Sequence, residues 1–104
     1  MITLCIRYQI EHNKHRDFEA YARALAGPIR RCGGDLIGYF LPTRFAGRTT
    51  FALALIGFAD LRAYQEYRAA LAGDPAAAAC LARVEASGSI VSEDRSFLQQ
   101  VEEA

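Results

Sequence analysis

Residues 49–58, TTFALALIGF, are apolar on both sides of an extended chain. Side chains of a strand alternate between faces, so Phe51, Leu53 and Leu55 point one way and Ala52, Ala54 and Ile56 the other. The earlier segment DLIGYFLP, residues 35–42, repeats the pattern, with Ile37, Tyr39 and Leu41 opposing Leu36 and Phe40. A strand with one face in water shows polar alternation instead. The sheet these segments build must be covered twice, and a chain of 104 residues has helices enough to cover it once.

The remaining elements follow from periodicity. ITLCIRYQI, residues 2–10, is a strand with Ile2, Leu4, Ile6, Tyr8 and Ile10 on one face and Thr3, Cys5, Arg7 and Gln9 on the other. From about Lys14, Phe18, Tyr21, Ala22, Leu25, Ile29 and Cys32 recur at helical spacing. Gly27-Pro28 should kink or briefly break that helix, because proline has no N–H for the carbonyl four residues back. TRFAGR is a turn with Gly47 near its tip. Asp60 caps a helix that Gly73 stops, and Asp74-Pro75 opens another, with cap and first-position proline in order. SIVSEDRSFLQQV is a last strand whose charged middle, Glu93-Asp94-Arg95, predicts an edge, a bulge or a bend.

The order is strand, helix, strand, strand, helix pair, strand. That is the split βαβ arrangement of the ferredoxin-like α+β fold, an antiparallel βαββαβ sheet with its helices on one face. No linker or repeat divides residues 1–104, so one domain is expected. The uncovered face calls for a second copy, sheet against sheet, in an isologous contact. A standard patch of roughly 800 Å² per partner, somewhat over half apolar, contributes about 20 kcal/mol gross before association costs.

Composition removes several classes of function. Net charge is zero, so no basic surplus points to nucleic acid. No apolar run reaches the roughly 18 residues of a membrane-spanning helix. The opening MITLCIRYQ does not read as a signal peptide. Cys5, Cys32 and Cys80 are odd in number and widely spaced, which argues for a reducing compartment, the cytoplasm by default.

Chemistry-bearing residues are few. The stretch RRCGG, residues 31–34 with Arg30, is explained by a helix ending: cations in the last turn, Cys32 on the apolar stripe, Gly33 as left-handed stop. A phosphate cradle needs its glycines before a helix, and a reactive Cys32 needs a lowered pKa. His12 and His15 have no third partner at ligand spacing, so no metal site is expected and both read as surface histidines. ASGSI lacks a nucleophile elbow. Arg7 is a charge inside an apolar strand and needs a carboxylate, a carbonyl cluster or a ligand anion; facing a partner sheet, it would meet Asp35 or Asp94. Tyr8, Tyr39, Tyr64 and Tyr67 can line a pocket between helices and sheet, although packing alone also explains their stripes. His12 is the candidate general base at a pocket mouth.

Four segments, CIRYQI, RCGGDLIGYFLP, LRAYQEYRAALAGDP and SEDRSFL, together resemble the NIPSNAP family in its short bacterial single-domain form, over nearly the whole chain. The resemblance implies a dimeric α/β-barrel, two ferredoxin-like domains with their sheets packed together, as in cofactor-independent monooxygenases of similar fold. The family has no settled enzymatic activity, so the function implied is that of a dimeric small-molecule-binding or accessory protein without a cofactor. The alternative is a cofactor-independent monooxygenase-like enzyme with a pocket between sheet and helices, where Arg7 and His12 orient an anionic aromatic substrate.

Overall fold

The structure is a computed structural model that describes residues 1–103. The elements are β1 (Ile2–Ile10), α1 (His15–Arg31), β2 (Asp35–Phe40), β3 (Phe51–Phe58), α2 (Leu61–Ala72), α3 (Pro75–Ser87) and β4 (Ile90–Leu98). The strands form one sheet in the order β2-β3-β1-β4, every neighbouring pair antiparallel. This is the ferredoxin-like α+β arrangement, with two helices in the second crossover.

The helices cover one side of the sheet. Beneath them lie Leu4, Ile6, Tyr8 and Ile10 of β1 and Ala52, Ala54, Ile56 and Phe58 of β3, all buried. From α1 they meet Phe18, Leu25 and Ile29, likewise buried. The small Ala52 and Ala54 in mid-strand leave room for the aromatic rings packed over them.

The strand β2 departs from simple alternation. Leu36 pairs with Ile56, but Gly38 pairs with Leu55, so Ile37 is an extra residue bulged out of the ladder. The expected grouping of Ile37, Tyr39 and Leu41 against Leu36 and Phe40 is therefore corrected. Past the bulge the parity inverts: Tyr39 joins Leu36 under the helices and Phe40 turns to the far face beside Leu53. Both β2 and β3 are also shorter than expected, because 41–50 runs as an irregular loop.

The far face is consequently of two kinds. Over β2 and β3 it presents Phe40, Phe51, Leu53 and Leu55, with Phe40 48% and Phe51 40% exposed. Over β1 and β4 it presents mainly polar groups, Arg7, Gln9, Ser92, Asp94 and Ser96, together with Cys5 and the exposed Leu98. Of the features expected at Glu93-Asp94-Arg95, β4 is an edge strand; those three residues pair in register, and the register shift lies before them, between Ile90 and Ser92.

The helix α1 runs through Gly27-Pro28 without the expected break. A residue before proline is normally pushed out of the helical region by contact of its Cβ with the ring. Gly27 has no Cβ to make that contact. The helix then ends in a Schellman motif: Gly34 N–H donates to the Ile29 carbonyl at 2.9 Å and Gly33 N–H to that of Arg30 at 3.2 Å, with Gly33 at φ 108°. Caps on the other helices follow the sequence. Asp60 accepts from Ala63 N–H at 2.8 Å, and Asp74 accepts from Ala76 and Ala77 N–H at 2.9 and 3.1 Å.

Gly34 is where α1 and the sheet approach most closely. A Cβ there would lie 2.8 Å from Ile29 Cγ2 and 3.0 Å from Ile56 Cγ2, both on stiff β-branched side chains. Gly34→Ala should therefore lower unfolding free energy by about 1–3 kcal/mol in urea titrations. An unchanged midpoint would refute this packing.

Candidate functional site

Tyrosine hydroxyls converge between the sheet and the helices. Tyr8 reaches there from β1 by strand alternation, Tyr39 from β2 through the Ile37 bulge, and Tyr21 from α1, one turn after Phe18. The Tyr8 and Tyr39 rings stack with centroids 6.2 Å apart, and Tyr21 meets Tyr39 edge-on at 6.3 Å. Together with Tyr67 and Arg68 of α2 and Arg95 of β4 they line a cavity of about 70 Å³ whose other walls are hydrocarbon, from Leu4, Ile6, Leu25, Ile29, Ile56 and neighbours. That is room for roughly two waters. A second hollow of about 160 Å³ shares the Tyr21 and Leu81 walls and is bordered by Glu93.

Phe18 packs among Tyr8, Tyr21 and Tyr39, its ring centroid 4.9, 5.9 and 6.1 Å from theirs. Burial, before any charge effect, holds all three phenols far above the ordinary tyrosine range. Tyr67 is pushed up to about 12, again chiefly by burial. These are neutral hydrogen-bonding groups at physiological pH, not bases.

Arg95 enters the site through the pairing of β4 with β1. Opposite Ile6 and Tyr8 stand Arg95 and Glu93, so both charges share the helix side with the core. Arg95 Nε and Nη2 donate to the same oxygen, Glu93 Oε2, at 3.3 and 3.2 Å. Burial works against the guanidinium charge, but the Glu93 carboxylate outweighs it and keeps Arg95 firmly protonated.

The other sequence candidates lie apart. Arg7 is on the far face, its Nη1 3.7 Å from Asp94 Oδ2 directly across the ladder, which is one of the two carboxylates expected for it. His12 is exposed in the turn after β1 and borders neither cavity. His15 bonds to the Thr49 carbonyl. Tyr64 packs edge-on against Phe58 and Phe97, outside the cavity lining. Among the described residues no three metal-ligating side chains come together. An open groove of about 370 Å³ lies outside, between α1 and edge strand β2, where Arg23 and Arg30 rim a floor of alanine and leucine; Tyr39 is the wall it shares with the inner cavity.

The RRCGG segment is a structural joint. Asp74, which caps α3 through Oδ1, takes Arg31 Nη2 on Oδ2 at 2.5 Å, with Cys32 Sγ 3.7 Å from the same oxygen. Desolvation and the Asp74 charge push the Cys32 thiol up, opposite to what a reactive cysteine requires.

Residues 3–103 match the NIPSNAP family. The chain belongs to that family. Solved NIPSNAP structures resemble it closely: one from Agrobacterium tumefaciens at 25% identity superposes with a TM-score of 0.83, covering 97% of this chain and 93% of that one. An uncharacterised NIPSNAP domain protein from Burkholderia xenovorans at 20% identity gives 0.82, with 97% and 95% covered. A putative antibiotic biosynthesis monooxygenase from Nitrosomonas europaea, at 10% identity, shares the fold with a TM-score of 0.72 over 98% and 100% of the two chains. No curated protein matches the sequence.

Sequence reasoning passed over Tyr21, Glu93 and Arg95. The usable signal was parity: Glu93 and Arg95 share a face with Phe97, and Tyr21 shares a helix stripe with Phe18.

The Asp74 joint gives a pH signature. Hydrogen bonds from Arg31 and from backbone N–H groups hold its carboxyl below the ordinary range when folded. Its contribution to stability is thus complete above the unfolded-state pKa and disappears as pH falls through the folded one. Asp74→Asn keeps the cap acceptor but not the charge, and should flatten the acid limb of a thermal-stability profile. A limb of unchanged steepness would dismiss the carboxylate as its source.

Proposed function

We propose that this NIPSNAP protein is a cytoplasmic homodimer, closed sheet to sheet, that binds a small molecule between the sheet and the helices of each subunit. The observation that carries the binding reading is the convergence of tyrosine hydroxyls and Arg95 on one cavity. Buried polar groups are ordinarily spent on the protein's own backbone or core partners. Here several are gathered at one small, mostly apolar hollow beside the sheet edge. Arg7 and His12, the side chains an oxygenase reading would use, stand outside it, so binding without turnover is the better reading. Free Cys5, Cys32 and Cys80 fit a reducing compartment.

Shape supports the dimer. A folded monomer of 11.5 kDa exposes about 5,800 Å², whereas this chain exposes 6962 Å². The excess, on the order of 1,100 Å², exceeds one side of a standard interface. The slab measures 39 × 38 × 19 Å, a flat shape whose uncovered sheet face suits a second sheet packed against it. Phe40, Phe51, Leu53 and Leu55 form the apolar part of the face to be covered.

Sedimentation at low micromolar concentration should give twice the chain mass, and Leu53→Glu should reduce it to a folded single chain. A wild-type monomer would end the dimer proposal. For binding, native mass spectrometry of gently purified protein should reveal a small-molecule adduct that a Tyr8→Phe, Tyr39→Phe double variant loses while keeping its circular dichroism. An adduct retained equally by that variant would place the ligand elsewhere.

A further inference from the structure

Two arginines, Arg68 and Arg95, line the tyrosine cavity, and Arg95 is only half engaged. Both of its bonds to Glu93 fall on one oxygen, at 3.2 and 3.3 Å, where a bidentate arginine–carboxylate pair uses both oxygens at roughly 2.7–2.9 Å. No other hydrogen bond from Arg95 is made among the described residues. The pair contributes little to stability, since its side chains are 40% and 32% exposed. It stands on an edge strand, where a solute can reach it, with the two hollows on either side.

We infer that Arg95 is the ligand anchor and that the site takes a small organic carboxylate, with Glu93 occupying the anion's position. This rests on the binding reading above. An incoming carboxylate would replace Glu93 on Arg95 and use both guanidinium edges. Its apolar body would lie among the hydrocarbon walls. The hollows of about 70 and 160 Å³ limit that body to the size of a single ring or a short chain.

The chain has no tryptophan, and four of its five tyrosines, Tyr8, Tyr21, Tyr39 and Tyr67, line the cavity. Tyrosine fluorescence therefore reports binding directly. Titration of the purified protein with acetate and benzoate, against acetamide and benzamide as neutral counterparts, should give saturable changes for a carboxylate at concentrations about tenfold below its amide. Arg95→Gln should weaken carboxylate binding about tenfold, whereas Glu93→Gln should strengthen it. Both substitutions break the same ion pair, so a merely structural role would move them in the same direction. Equal binding of acid and amide, or parallel effects of the two substitutions, would overturn the anchor while leaving the pocket reading intact. Silence of the tyrosines towards all four compounds would overturn both.

Discussion

The side chains of a strand alternate with a period of two, so one inserted residue changes the face of everything after it. In β2 that residue is Ile37. Without the bulge, Tyr39 would lie on the far face of the sheet and Phe40 under the helices. With it, a phenol hydroxyl enters the layer between sheet and helices, next to Tyr8 and Tyr21, and a phenylalanine is added to the apolar patch on the other side. One irregularity thus equips the inner cavity and the outer surface together. Gly38, beside the bulge, has only the edge of the Phe40 ring near where a Cβ would stand, so the backbone can turn there without a bulky side chain in the way.

The second determinant is where the helical layer stops. The strand β4 lies at the sheet edge, and its inner-facing positions, Glu93, Arg95 and Phe97, remain partly in water. Charges are tolerated on the inner face only because of that edge position. Deeper in the sheet, an arginine would carry a desolvation cost that one long-range pair to a single carboxylate oxygen does not offset. On the far face the same strand contributes Asp94 to Arg7, so β4 answers charge with charge on both sides. The apolar β2–β3 half and the polar β1–β4 half of that face give it a direction. A two-fold partner lying across it would meet unlike halves in one orientation and like halves in another.

Much of this was legible from residues alone. Alternation in ITLCIRYQI, the Asp60 and Asp74 caps, and the glycines after Cys32 define elements whose order fixes the fold, because each signal is local and steric. The bulge was not legible, since nothing in DLIGYF marks an extra residue until β2 is registered against β3. Continuity through Gly27-Pro28 was missed because the proline rule was applied without noting that its neighbour lacks a Cβ. Tyr8 and Tyr39 were found by composition. Arg95 and Glu93 were hidden in a run of charges that reads as a solvated edge, and only cross-strand partners reveal which of them turn inward.

Asp74 joins the end of α1 to the start of α3 through one carboxylate, whose two oxygens are committed to different helices. Those helices, with α2, roof the tyrosines, so a single carboxylate at the rim ties two walls of the cavity together. The border along β4 has no such tie among the described residues and leaves Arg95 and Glu93 partly in water.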